Sequence, residues 1–152
     1  MNIKINREKN LQISYDRDFM LWIETTVQLL KEQKFAELDL ENLIEEIEDM
    51  GKSNKSALRS NVIVVLLHLL KWKYQPEKRT NSWKFSLREH RRRLEEDFED
   101  SPSLQNYYRE IFPKCYGNAR KLAADETGLV LEIFPVESPF TPEEVLDAEF
   151  LP

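Results

Sequence analysis

Two groups of residues have the types and spacing to do chemistry. The first is a polar line through an apolar segment. Asn61, His68 and Gln75 stand seven apart within NVIVVLLHLLKWKYQ, and Lys71 lies beside them. Residues seven apart on a helix fall on nearly one line, so these groups share one side of an otherwise apolar cylinder. Burying them without partners would cost about 1–3 kcal/mol each. Carboxylates from Glu45, Glu46, Glu48 or Glu126, or the guanidinium of Arg91, are the candidates to meet them. An imidazole among carboxylates could hold a divalent metal or act as a general base, the chemistry of a metal-dependent hydrolase. The favoured expectation is plainer: an internal hydrogen-bond network that fixes helix register.

The second group is basic and aromatic. Nine basic residues fall between Lys71 and Arg93, against only Glu77 and Glu89. Lys71, Lys73, Arg79, Lys84, Arg88 and Arg92 interleave with Trp72 and Trp83, a pattern that could grip a phosphate backbone and stack bases. The stretch from Glu37 to Asp49 is its opposite, with seven acids and no base. Neighbouring helices carrying these two segments would neutralise one another, and Arg91 with Glu95 and Arg92 with Glu96 stand four apart as local ion pairs. Counterion release drives binding only where phosphates meet a net positive surface. Nucleic acid is therefore expected less than internal compensation, and Trp72 and Trp83 are expected as core anchors.

Several chemistries lack their motifs. No Glu-x-x-His pair precedes either histidine, which removes the paired motif of ferritin-like di-metal bundles. There is no HExxH, no glycine-rich phosphate loop and no CxxC. Cys115, the single cysteine, excludes an internal disulfide and suits a reducing cytoplasm. No signal-peptide core opens the chain, and the apolar run at 62–70 is too short for a membrane span. No cofactor is evident.

The elements that must position these residues are helical. The chain has 152 residues, a net charge of −6, 33% charged residues and only three glycines, which argues against a turn-rich β fold. Residues 1–13 are polar and non-periodic and read as a loose tail; 14–152 read as one helical domain. A first helix is expected from Asp16 to Gln33, capped by Ser14 or Asp16, with Phe19, Trp22, Ile23, Thr26, Leu29 and Leu30 inward. Asp39 caps a second, ending near Met50 with Gly51 as its left-handed stop, and Leu40, Leu43, Ile44, Ile47 and Met50 face inward. A central helix capped by Ser53 follows so closely that it should lie antiparallel to the second. Leu58, Val62, Val65, Leu66 and Leu69 share one of its faces, while Val64 and Leu67 lie almost opposite. Such an all-round apolar helix is surrounded by protein. Pro76 ends it. A fourth helix runs from Thr80 or Asn81 to about Asp100, and a fifth starts at Ser101 and Pro102. Pro113 kinks or splits that fifth helix, and Gly128 closes it. LVLEIFPVESPF reads as an extended arm, and the capping box TPEE opens a last short helix ending at Phe150.

Several stretches together resemble one family. They are YDRDFMLW at 15–22, LDLENLIEEIEDMGKS at 38–53, LLHLLKWKYQPEKRTNSW at 66–83 and DSPSL at 100–104, with ETGL at 126–129, FP at 134–135 and FLP at 150–152. The chain is similar to domain of unknown function twenty-nine, common in cyanobacteria. The resemblance implies an all-helical fold and no particular activity or site residue. The reading is thus an all-α bundle of about five helices with an extended C-terminal arm and a short terminal helix. Its expected function is that of a non-enzymatic cytoplasmic interaction module that associates with itself or with a protein partner, away from membranes. Nucleic-acid association and a metal-dependent hydrolase are the alternatives.

Overall fold

The structure, a computed structural model, describes residues 14–152; the tail expected at 1–13 lies outside the described residues. Those residues are helical, with no strand among them. Four long helices, α1 (Phe19–Lys31), α2 (Leu40–Tyr74), α3 (Asn81–Asp100) and α4 (Leu104–Thr127), precede a short α5 (Pro142–Leu146). Contacts divide the described residues into two compact units, one ending at Ser53 and the other beginning at Asn54.

In the first unit, a helical turn at 14–17 stops at Asp18, and α1 begins after it. Asp18, rather than Ser14 or Asp16, is the cap: its backbone leaves helical geometry, and its carboxylate accepts the Leu21 N–H at 3.0 Å. Gln33 closes α1 in a left-handed conformation, φ 56°. There Lys34 N–H reaches the Leu29 carbonyl and Gln33 N–H the Leu30 carbonyl, the paired closure that glycine usually supplies. Trp22 and Thr26 are buried, while Phe19 and Leu30 stay exposed. Tyr15, Phe19 and Trp22 form an aromatic cluster with centroids 5.0–5.8 Å apart. The Tyr15 hydroxyl donates to Glu46 at 2.7 Å.

The largest departure from expectation is α2. Asp39 opens it as anticipated, its carboxylate accepting from the Asn42 side chain at 2.7 Å, but Gly51 does not end it. The helix continues for 35 residues, about 52 Å at its normal rise. Gly51 keeps a negative φ, and a helical glycine costs only ~1 kcal/mol, which its helix-forming neighbours override. The second and central helices are therefore one, and no antiparallel pairing between them exists. The face that this pairing would have covered stays open: Leu40, Ile44, Ile47 and Met50 are 55, 55, 60 and 64% exposed.

The second unit holds the main core. Leu58, Val62, Val65, Leu66 and Leu69 are fully buried on the face expected of them, packed in one cluster with Leu87, Leu94, Tyr116 and Ala119. Thr80 caps α3 with its side chain. Ser101 ends α3 instead of starting α4, because its N–H is taken by Asp97; Ser103 is the cap of α4. Pro113 lies inside α4 without splitting it, and Gly128, φ 71°, ends it in the left-handed conformation. The arm then crosses the core. Phe134 and Phe140 are buried, Arg120 donates to the Phe134 and Leu131 carbonyls at 2.9 and 3.2 Å, and Tyr108 to that of Pro142 at 2.7 Å. The capping box of Thr141 and Glu144 is present. The last helix stops at Leu146, short of Phe150, where the Asp147 side chain accepts the Glu149 N–H and favours a turn.

Candidate functional site

The polar line on α2 meets partners, though not all those expected. Asn61 accepts from His90 Nδ1–H of α3 at 2.8 Å, and His68 Nδ1–H donates to the Val64 carbonyl one turn back at 2.8 Å. Lys71 pairs with Glu126 at 2.9 Å and sits 4.5 Å from the Trp83 ring centre. Gln75 is buried at the end of the line. Arg91 turns away from it. The residue is 6% exposed, and its guanidinium donates to the backbone carbonyls of Val145, Phe150 and Glu144 at 2.9, 3.0 and 3.4 Å.

Glu45, Glu46 and Glu48 do not join His68. They belong to the first unit and His68 to the second, and Glu46 is engaged by Tyr15. That hydrogen bond is the main reason the Tyr15 phenol is pushed up to about 12. Among the described residues, no three His, Cys, Asp or Glu side chains are grouped to hold a metal. Cys115 is buried among core residues, and burial pushes its thiol up to about 11, leaving almost no thiolate near neutrality.

Both histidines are held below their ordinary value. For His68 burial is the main cause, with Lys71 adding to it and the Val64 carbonyl and Glu126 opposing. For His90 burial again leads, followed by the charges of Arg93 and His68, with Glu89 opposing. The folded state thus binds fewer protons than the unfolded chain. The stability these neutral imidazoles contribute is complete above the unfolded pKa of about 6.5 and is lost as pH falls below it toward their lowered values. Urea denaturation at pH 7.5 and 5.5 should show lower stability at 5.5, and a His68→Gln/His90→Gln variant should lose most of that difference.

The basic segment is largely occupied within its own unit. Arg92 pairs with Glu89 at 2.8 Å and with Glu96, and Arg93 with Glu89 at 3.1 Å; these partners hold the Glu89 carboxyl down at about 2. Arg79 lies 4.8 Å from the Trp72 ring centre and donates to the Trp72 carbonyl, Lys84 lies 5.5 Å from the same ring, and Lys73 5.9 Å from Phe140. Trp72 is buried, as expected of a core anchor, and Trp83 is half-buried. Arg88 borders a groove of about 880 Å³ that also takes in Lys84, Glu95 and Glu99, so both signs of charge line it.

The first unit carries the least expected feature. Beyond the four open residues of α2, Met20 and Phe35 are 62 and 58% exposed. Large contiguous apolar patches on soluble proteins mark interaction sites. The sequence pattern places Leu40, Ile44, Ile47 and Met50 inward, whereas Met20 and Phe35 belong to no expected inward stripe.

No helix among the described residues is long and apolar enough to cross a membrane. No curated protein and no solved structure matches the chain. The family model described as domain of unknown function DUF29 matches residues 14–151. Nearly the whole chain is thereby accounted for, and the protein belongs to the DUF29 family.

Proposed function

We propose that this protein is a non-enzymatic cytoplasmic interaction module that associates with itself through the open apolar face of α2. The observation that carries this reading is that Leu40, Ile44, Ile47 and Met50 recur along α2, each more than half exposed. Burying the exposed part of such a side chain gains roughly 1 kcal/mol. A symmetric pair would cover eight of them, for roughly 8 kcal/mol before the costs of association. Binding rather than catalysis is supported by how the polar groups are engaged: His68 by a backbone carbonyl, Lys71 by Glu126 and Arg91 by the arm. A buried, unpaired Cys115 suits a reducing cytoplasm.

Amide hydrogen exchange tests this reading. Amides between Ile44 and Ala57 should exchange more slowly in concentrated than in dilute solution, as association protects them. Exchange unchanged by concentration along that stretch would overturn it.

A further inference from the structure

We propose that the start of α3 and the turn before it bind a single strand of nucleic acid, with phosphates on Arg79, Lys84 and Arg88 and one base stacked on Phe85. The site lies within the second unit and is independent of self-association through α2. From Lys73 to Arg88 the chain has five bases and one acid, Glu77. Among the described residues, no ion pair reaches any of the five. The pairs of the second unit join Lys71 to Glu126, Arg92 to Glu89 and Glu96, Arg93 to Glu89, and Arg109 to Glu143. Arg79 and Lys84 instead rest against one indole, 4.8 and 5.5 Å from the Trp72 ring centre, and a ring face leaves a cation's charge standing. Arg79 is fixed further by its 2.9 Å bond to the Trp72 carbonyl. Two like charges are thus held near one another with no carboxylate to offset them, and Arg88 follows Lys84 by one helical turn along the same groove. The net charge of −6 does not cancel this local field, because exposed charges more than about 10 Å away are largely screened at ~0.1 M salt.

Phe85 narrows the ligand. It is 68% exposed and stands three residues before Arg88, the spacing of neighbours on a helix surface. Trp72 is buried, Tyr74 packs against Phe134 and Trp83 is covered by Lys71, so Phe85 is the aromatic of this segment with an open face. Bases in a duplex spend their faces on one another, and an open ring beside cations therefore suits an unstacked, single strand. An acidic peptide would need only the cations. A lipid surface would need several apolar side chains, and between Lys71 and Arg93 Phe85 is the one large apolar residue that is exposed. Glu95 and Glu99 line the groove further along and repel phosphate, so the strand crosses α3 near its start instead of following its length.

Fluorescence anisotropy of the full chain with labelled oligouridylate and oligothymidylate tests the proposal. Binding is expected at about 50 mM salt, and a strand that meets three cations should bind roughly 20-fold more weakly at about 200 mM. Lys84→Glu/Arg88→Glu should abolish it. Phe85→Ala should weaken it about ten-fold and leave the salt dependence unchanged, because it removes stacking and no charge. All three positions are exposed, and urea midpoints near that of the wild type show that the variants are folded. No binding of either strand at about 50 mM salt, or attachment to phosphatidylserine vesicles in place of both, overturns the proposal. So does binding that Phe85→Ala leaves unchanged, or that polyglutamate displaces as well as unlabelled strand does, since each describes a general anion surface.

Discussion

Leu69→Ala is expected to lower the unfolding free energy by roughly 2–5 kcal/mol, the cost of a cavity at a fully packed site. Leu69 has no exposed surface, and its neighbours on α2, Val65, Leu66 and Leu70, have none either. The surroundings belong to helix interiors and cannot collapse freely into the space, so the upper half of the range applies. The informative contrast is Ile47→Ala on the same helix. Ile47 is 60% exposed, and in dilute solution its truncation should stay within about 0.5 kcal/mol, the scale of a surface change. Chemical denaturation of both variants checks the pair of values. Similar losses at Leu69 and Ile47 would mean that α2 is covered evenly along its length.

Arg91→Ala is expected to cost about 3 kcal/mol. Hydrogen bonds from a charged donor contribute more than neutral ones, and removing the donor leaves buried acceptors without partners. Here one side chain serves three carbonyls of the C-terminal segment, those of Glu144, Val145 and Phe150. Burial holds the guanidinium below its usual value, with the Asp147 carboxylate partly offsetting this. Arg91→Lys should recover only a small part, because an ammonium cannot reproduce the planar fork. Denaturation gives the energy. Limited proteolysis reports the mechanism, since a released arm should be cut between Gly128 and Thr141 in Arg91→Ala before the wild type is. An arm equally resistant in both would show that the aromatic anchors Phe134 and Phe140 hold it without the clamp.

What could be read from the residues, and what could not, follows from how local each signal is. Thr80 opening α3, Asp39 opening α2, the Thr141 capping box and Gly128 closing α4 are decided within four residues, and all appear as expected. The buried face of the central segment was legible because five apolar residues repeat at helical spacing. Gly51 was not legible. Glycine serves both a left-handed stop and a helix interior, no proline follows it, and Ser53, read as a cap, sits within the helix instead. From that one ambiguity came the misplacement of Leu40, Ile44, Ile47 and Met50 as core. The Asn61–His90 pair had a usable signal: each residue interrupts an apolar stripe, and two such interruptions on packed helices need one another. The destination of Arg91 had none, because backbone carbonyls carry no residue identity.

Self-association through α2 is tested most directly by sedimentation equilibrium of the full chain across a wide range of concentrations. The wild type should show an average mass rising from that of one chain toward twice that value. Ile44→Asp/Ile47→Asp places four carboxylates in the proposed dimer interface and leaves the buried cluster of the second unit untouched; it should remain at the mass of one chain throughout. A wild type that stays at one chain mass at every concentration, or a dimer that the double variant leaves intact, would contradict the assignment of this face as the interface.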